Sequence, residues 1–144
     1  MLTVNDIALV RTSFAQIVPI QQVAADLFYD RVFEGSPKLR ELFPADLREQ
    51  KRKLMQMISA AVGSLNNLND ILPKVKALGA RHSGYGVTDG HYGIVGEALL
   101  WTLEQGLGKE CTPEVRSAWA KVYGILSATM QAGAAEVADL RAAE

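Results

Sequence analysis

Cysteine is nearly missing from this chain, charge of either sign is in balance, and no apolar run is long; each shortage closes off a class of protein. A single cysteine, Cys111, cannot form an internal disulfide, so the fold does not rest on a disulfide framework and a reducing, cytoplasmic location is expected. With 15 basic and 16 acidic side chains the formal net charge is −1. The basic residues are scattered apart from Lys51-Arg52-Lys53, so no stretch reads as a nucleic-acid footprint. Every apolar stretch is cut by Asp, Glu, Lys, Arg or Gln before the ~18 residues that suggest a membrane span. The first residues, MLTVNDIALVRTSF, lack the basic and apolar regions of a secretory leader. Alternating runs of strand length are absent, and so are repeats and low-complexity tracts other than an alanine-rich tail after Met130. Neither a membrane nor a nucleic acid is an expected partner.

What is present is helical spacing almost throughout, in 144 residues that suffice for one domain with one sizeable core, 1–144. Ile7, Val10, Phe14 and Ile17 follow a capping box offered by Thr3 and Asp6. After Pro19 a second stripe runs through Val23, Ala24, Leu27, Phe28, Val32 and Phe33 to Gly35, where a left-handed cap is expected. Pro37 opens a short helical turn that ends at Leu42-Phe43-Pro44, because proline disfavours helical geometry in the residue before it. The clearest stripe is Leu54, Met57, Ile58, Ala61, Val62 and Leu65, stopping at Asn66-Asn67; Gln50 continues its face as an inward polar group. Asn69 or Asp70 is the expected cap of the next helix, whose inner face reads Ile71, Val75, Leu78 and His82. Asp89 is the expected cap of a helix running to Gly106, and Thr112-Pro113-Glu114 starts the last. The fold class is all-α, with about seven or eight helices.

The only two histidines, His82 and His91, lie in ALGARHSGYGVTDGHY, and half of the 12 glycines fall between Gly79 and Gly96. Glycines around His82 let backbone and imidazole come close to something flat. A zinc site from His82, His91, Asp89 and Cys111 is disfavoured by spacing, since the histidines are nine residues apart and zinc ligands come in tight pairs. Cys111 as a nucleophile has no supporting signature. His91, in the first turn of a helix, reads as a surface or interhelix hydrogen-bonding residue. Phe43 reads equally as plain core, Tyr29 as a tyrosine satisfied by a carbonyl, and Gln50 as a solvated helix start.

The whole chain resembles the globins, and specifically single-domain bacterial globins related to the globin domain of flavohaemoglobins. The residues that carry the resemblance are FYDRVF from Phe28 to Phe33, LRELF ending at Phe43, Gln50 with Leu54-Met55, ILPKVKALGARH ending at His82, HYGIVGEALL from His91 and AWAKVYG from Ala118. The resemblance implies a globin fold packed around haem b, with His82 as proximal iron ligand. It places Phe43 against the porphyrin face and makes Tyr29 and Gln50 a distal polar pair facing the bound ligand. Leu54, Val87, Val95, Leu99, Tyr123 and Met130 complete the lining. It sets Tyr92 near the proximal imidazole, where flavohaemoglobins add a carboxylate from the last helix. Here that position falls on Ala134, and Glu136 stands about 200° around the helix. His82 is then expected to be held by a backbone carbonyl one turn earlier, such as that of Leu78. Lys51 or Lys53 is within reach of a haem propionate.

The function so implied is reversible binding of dioxygen, and of nitric oxide and carbon monoxide, with high oxygen affinity from Tyr29 and Gln50, serving oxygen transport or buffering. The alternative is nitric oxide dioxygenase or nitrite reductase activity with a separate reductase, since no GxGxxG, flavin or nicotinamide signature occurs in these residues. A haem-based sensor would need an output segment that the 144 residues do not include.

Overall fold

Helix boundaries follow local capping chemistry in the computed structural model, which describes residues 2–84 and 86–143, with side chains described through 137. Among the described residues there are six α-helices and no strand. The count falls below seven or eight because short helical patterns, such as the one after Pro37, fold as 3-10 turns.

Helix α1 is Val4–Ile17, and its capping box forms as expected: the Asp6 N–H donates to Thr3 Oγ1 and the Thr3 N–H to Asp6 Oδ2, both at 3.0 Å. Pro19 lies in a turn, Val18–Ile20, that leads into α2, Gln21–Gly35. Gly35 is not left-handed; only Gly86 and Gly108 have positive φ among the described residues. A Cβ on Gly35 would lie 3.1 Å from Ile94 Cγ2, so the missing side chain serves packing. The turn Pro37–Leu42 ends at Phe43 in extended geometry, as a residue before proline requires.

Helix α3 is Arg48–Gly63, α4 Leu68–Gly84, α5 Asp89–Leu107 and α6 Pro113–Ala143. Helix α4 starts at Leu68, so Asn69 and Asp70 fall inside its first turn rather than capping it. The residue before α5 is Thr88, not Asp89, and α5 runs past Gly106 to Leu107. Thr112 caps α6 as expected, its Oγ1 accepting the Val115 N–H at 3.2 Å.

Two apolar clusters divide the interior. One joins α1, α3, α5 and α6 around Val10, Phe14, Leu103 and Trp119. The Phe14 and Trp119 rings sit 6.2 Å apart, and each such buried side chain contributes about 2 kcal/mol. The other cluster seats α2 on α5 through Phe28, Tyr29, Val32 and Ala98. Two expected stripe members point outward: Val23 is 55 % and Met57 42 % exposed, whereas Met55 is buried. Helix α4 lies directly on α6. A Cβ on Gly79 would stand 2.0 Å from the Met130 carbonyl oxygen, and one on Gly133 would stand 2.0 Å from that of Lys76. Two glycines, one on each helix, thus set the seat of the helix that carries His82.

Candidate functional site

Tyr29 sits in α2 with three phenylalanines around it. Its ring lies 5.1 Å from Phe28, 5.9 Å from Phe33 and 5.7 Å from Phe43, the Phe28 and Phe43 contacts being edge-on. Leu54, Val95 and Leu99 pack against the same cluster and remain half-buried, as does Phe43, so apolar faces stay partly open there. Burial pushes the Tyr29 hydroxyl above its ordinary pKa, and a hydrogen bond with Gln50 opposes the shift. The hydroxyl is therefore a protonated donor at neutral pH. Gln50, in the first turn of α3, is half-buried, so the structure brings Tyr29, Gln50, Phe43, Leu54, Val95 and Leu99 into one neighbourhood.

His82 stands in the last turn of α4 with Nδ1 2.8 Å from the Leu78 carbonyl oxygen. A carbonyl only accepts, so Nδ1 carries a hydrogen, and in the neutral ring Nε2 is then the nitrogen with the lone pair that a metal ion takes. This is the backbone tether expected from the sequence. The Val87 N–H donates to the His82 carbonyl at 3.1 Å and Gly86 takes φ 90°, which turns the chain out of α4. His91 serves the start of α5, its Nδ1 accepting the Thr88 N–H at 3.1 Å. Among the described residues no group of three or more His, Cys, Asp or Glu is placed to hold a metal ion, so His82, His91, Asp89 and Cys111 do not form a zinc site.

Tyr92 and Tyr123 meet across α5 and α6. The Tyr123 hydroxyl donates to the Tyr92 carbonyl at 2.5 Å, and Gly96 leaves the room its ring needs. Burial drives the Tyr123 pKa far up; burial, then the Asp89 charge, raises that of Tyr92. The Tyr92 hydroxyl is buried and has no hydrogen-bond partner among the described residues. Ala134 supplies no carboxylate, and Glu136 is engaged elsewhere, in an ion pair with Lys76 of α4. Met130 contributes its backbone to the Gly79 contact. Lys51 pairs with Asp26 at 2.7 Å, which takes one of the two lysines expected near a propionate; Lys53 is exposed.

Sequence reasoning passed over Arg40, whose guanidinium binds the corner carrying Phe43, and Phe28 and Phe33 as parts of the Tyr29 cage. The spacing of Arg40 three residues before Phe43 is a weak signal, and its three acceptors are backbone atoms that no residue type betrays.

An imidazole oriented at Nδ1 on one helix and a caged tyrosine donor beside half-open apolar faces on others are residues suited to a haem pocket, in a protein whose described elements are all helical. The sequence pattern of the globin family matches residues 26–130, and the chain belongs to that family. It is 35 % identical over 103 residues to a flavohemoprotein of Bacillus subtilis strain 168 and 33 % identical over 103 residues to flavohemoproteins of Bordetella parapertussis and Bordetella bronchiseptica. Each match covers 69 % of this chain and 26 % of the relative, so the chain spans about a quarter of the length of the curated relatives it matches. Among solved structures, an engineered carbene transferase, described as a candidate nitric oxide dioxygenase from Rhodothermus marinus, superposes with a TM-score of 0.87 at 25 % identity, covering 99 % of both chains. The cofactor that this membership implies is haem b with its iron. The residues fit it: with Nδ1 turned to the Leu78 carbonyl, His82 Nε2 is the nitrogen that would ligate the iron, and the half-open apolar faces of Phe43, Leu54, Val95 and Leu99 are what a large planar group would cover.

Proposed function

We propose that this chain is a single globin domain, 1–144, that binds dioxygen reversibly and tightly through haem b held by His82. The observation that carries the reading is the Tyr29 ring caged by Phe28, Phe33 and Phe43, with Gln50 close enough to its hydroxyl to temper the effect of burial on its pKa. When bound, haem would be held by His82 and would supply an iron able to take a diatomic ligand.

Everything else falls to the chain. Phe43, Leu54, Val95 and Leu99 exclude water, which strengthens any hydrogen bond made inside. Tyr29 offers an O–H donor and Gln50 an N–H donor, and a ligand with partial negative charge gains more from them than neutral carbon monoxide does. His82 Nδ1 is oriented by the neutral Leu78 carbonyl, and Ala134 offers no carboxylate at the position where flavohaemoglobins have one. Two donors on the ligand side favour holding a ligand, which supports the reading of oxygen buffering or transport.

The names of the relatives support a second reading. A flavohemoprotein likeness and a neighbour described as a candidate nitric oxide dioxygenase point to turnover of nitric oxide with dioxygen, fed by a separate reductase. Fast re-reduction of the ferric protein by a reductase fraction would favour it.

The deciding experiment is the visible spectrum of the ferric and dithionite-reduced protein, with and without carbon monoxide, beside His82→Gly with and without imidazole. A Soret band that moves with carbon monoxide, lost in the variant and regained with imidazole, supports the reading. Haem-supplemented protein with no such band sinks both readings.

A further inference from the structure

Residues 43–47, between the turn Pro37–Leu42 and α3, form no regular structure, yet this segment carries Phe43. Three of its consecutive carbonyls are taken by one side chain. Arg40 Nη1 lies 3.4 Å from the Phe43 oxygen and donates to Pro44 O at 2.8 Å, and Nη2 donates to Ala45 O at 2.9 Å. The same guanidinium sits over the Phe33 ring, 5.4 Å from its centroid. Phe33 and Phe43 are 5.5 Å apart at 64°, and both abut Tyr29. The contacts close a circuit: Arg40 holds the backbone of one ring and the face of another, and Tyr29 touches both rings.

A guanidinium suits this place for a physical reason. Its planar fork serves several carbonyls while its face stays on an aromatic ring, and charged donors make the stronger hydrogen bonds. An ammonium is a compact point charge that cannot do both at once. We infer that Arg40 is a positioning residue: it clamps the 43–47 corner so that Phe43 bears on Tyr29, and thereby fixes the direction in which the Tyr29 hydroxyl donates into the pocket. The second half of that statement rests on the proposed oxygen-binding function; the clamp itself does not.

The test uses Arg40→Ala and Arg40→Lys, each in the native and the Tyr29→Phe background. In haem-free protein, amide hydrogen exchange at Phe43, whose N–H donates to Arg40 O at 3.2 Å, is expected to speed up about tenfold in Arg40→Ala, because the corner is freed to open. In haem-loaded protein, the infrared band of bound carbon monoxide should split, adding a component that reports a pocket without an aligned donor. Oxygen dissociation should quicken severalfold with Tyr29 present and hardly at all in Tyr29→Phe, and Arg40→Lys should fail to rescue either effect. Should Arg40→Ala not fold, Arg40→Lys decides alone. Unchanged corner exchange, full rescue by lysine, or equal acceleration in both backgrounds overturns the inference. Faster exchange together with a Tyr29→Phe off-rate like that of the native protein would instead sink the assigned role of Tyr29 and leave the clamp standing.

Discussion

Ser13 carries one hydroxyl proton and serves three groups. Its Oγ accepts the buried Trp119 Nε1–H at 2.8 Å and faces the Leu9 and Val10 carbonyls at 2.7 and 3.0 Å. Ser13→Ala keeps the helix but strands the indole N–H, and a stranded buried donor costs about 1–3 kcal/mol. Urea unfolding should register that loss, and Trp119→Phe added to Ser13→Ala should cost less than the sum of the single changes, because the donor goes too. Additive losses would show that the hydrogen bond is not what Ser13 supplies. Tyr29 poses the same question for a ligand instead of a neighbour. Tyr29→Phe removes the caged donor while keeping the ring against Phe28 and Phe43, so oxygen dissociation should accelerate by about tenfold or more, the worth of one hydrogen bond in a dry pocket. Carbon monoxide release, which draws little on the donor, should change much less. Equal effects on the two gases would point to altered access rather than to a lost hydrogen bond.

Among the elements, α4 and α6 make the closest approach, and two glycines permit it. In Gly79→Ala and Gly133→Ala the new methyl meets backbone at 2.0 Å, which only a shift of one helix can relieve. Overpacking of about 1–3 kcal/mol outweighs the roughly 1 kcal/mol that alanine gains over glycine in a helix, so both changes should destabilise. Gly124→Ala, in the same α6 with nothing within 4 Å, should stabilise by about that 1 kcal/mol and is the internal control. Three melts compare them, and stabilisation at Gly79 would mean that the helices are not seated so closely. The N-terminus of α1 gives a pH test. The hydrogen bond from the Thr3 N–H, helped by Lys121, holds the Asp6 carboxyl below its ordinary 3.8, against its burial. A lowered folded pKa means that its contribution is complete above 3.8 and is lost as pH falls through the lower value. Asp6→Asn should therefore flatten the acid limb of the stability curve below about pH 4 without steepening it elsewhere. Capping of this kind was legible in the sequence because donor and acceptor lie three residues apart, as Thr3 with Asp6 and Thr112 with Val115 do. The seat of α4 was not, because Gly79 and Met130 are joined only by the finished fold. Met57 misled for a local reason: it borders the stripe of α3, and periodicity cannot say which edge of a stripe meets the core.

At the scale of the molecule, the candidate site residues are spread over five helices, and sequence and structure are informative about different parts of them. The helical spacing and the place of His82 were readable, and so was the Leu78 tether, since it is one turn away. The cage around Tyr29 assembles residues of α2 with Phe43 from a segment of no regular structure, and its bracing by Arg40 depends on backbone atoms. Such a site is held at some expense: the half-buried faces of Phe43, Leu54 and Val95 are unfavourable until something covers them, and the buried Tyr92 hydroxyl is unfavourable until something bonds it. Haem should then act as a folding ligand. Binding only the native state, it should raise stability by about 4 kcal/mol at a thousandfold excess over its dissociation constant. The denaturant midpoint of the native protein should climb with added haem, that of His82→Gly should climb much less, and imidazole should restore part of the difference. Tyr92→Phe should raise the stability of the haem-free protein by removing a buried hydroxyl that has no partner, and should raise that of the loaded protein less if haem binding gives the hydroxyl one. If haem moves the midpoints of native and His82→Gly protein equally, the group is merely adsorbed on apolar surface, and His82 is not its ligand.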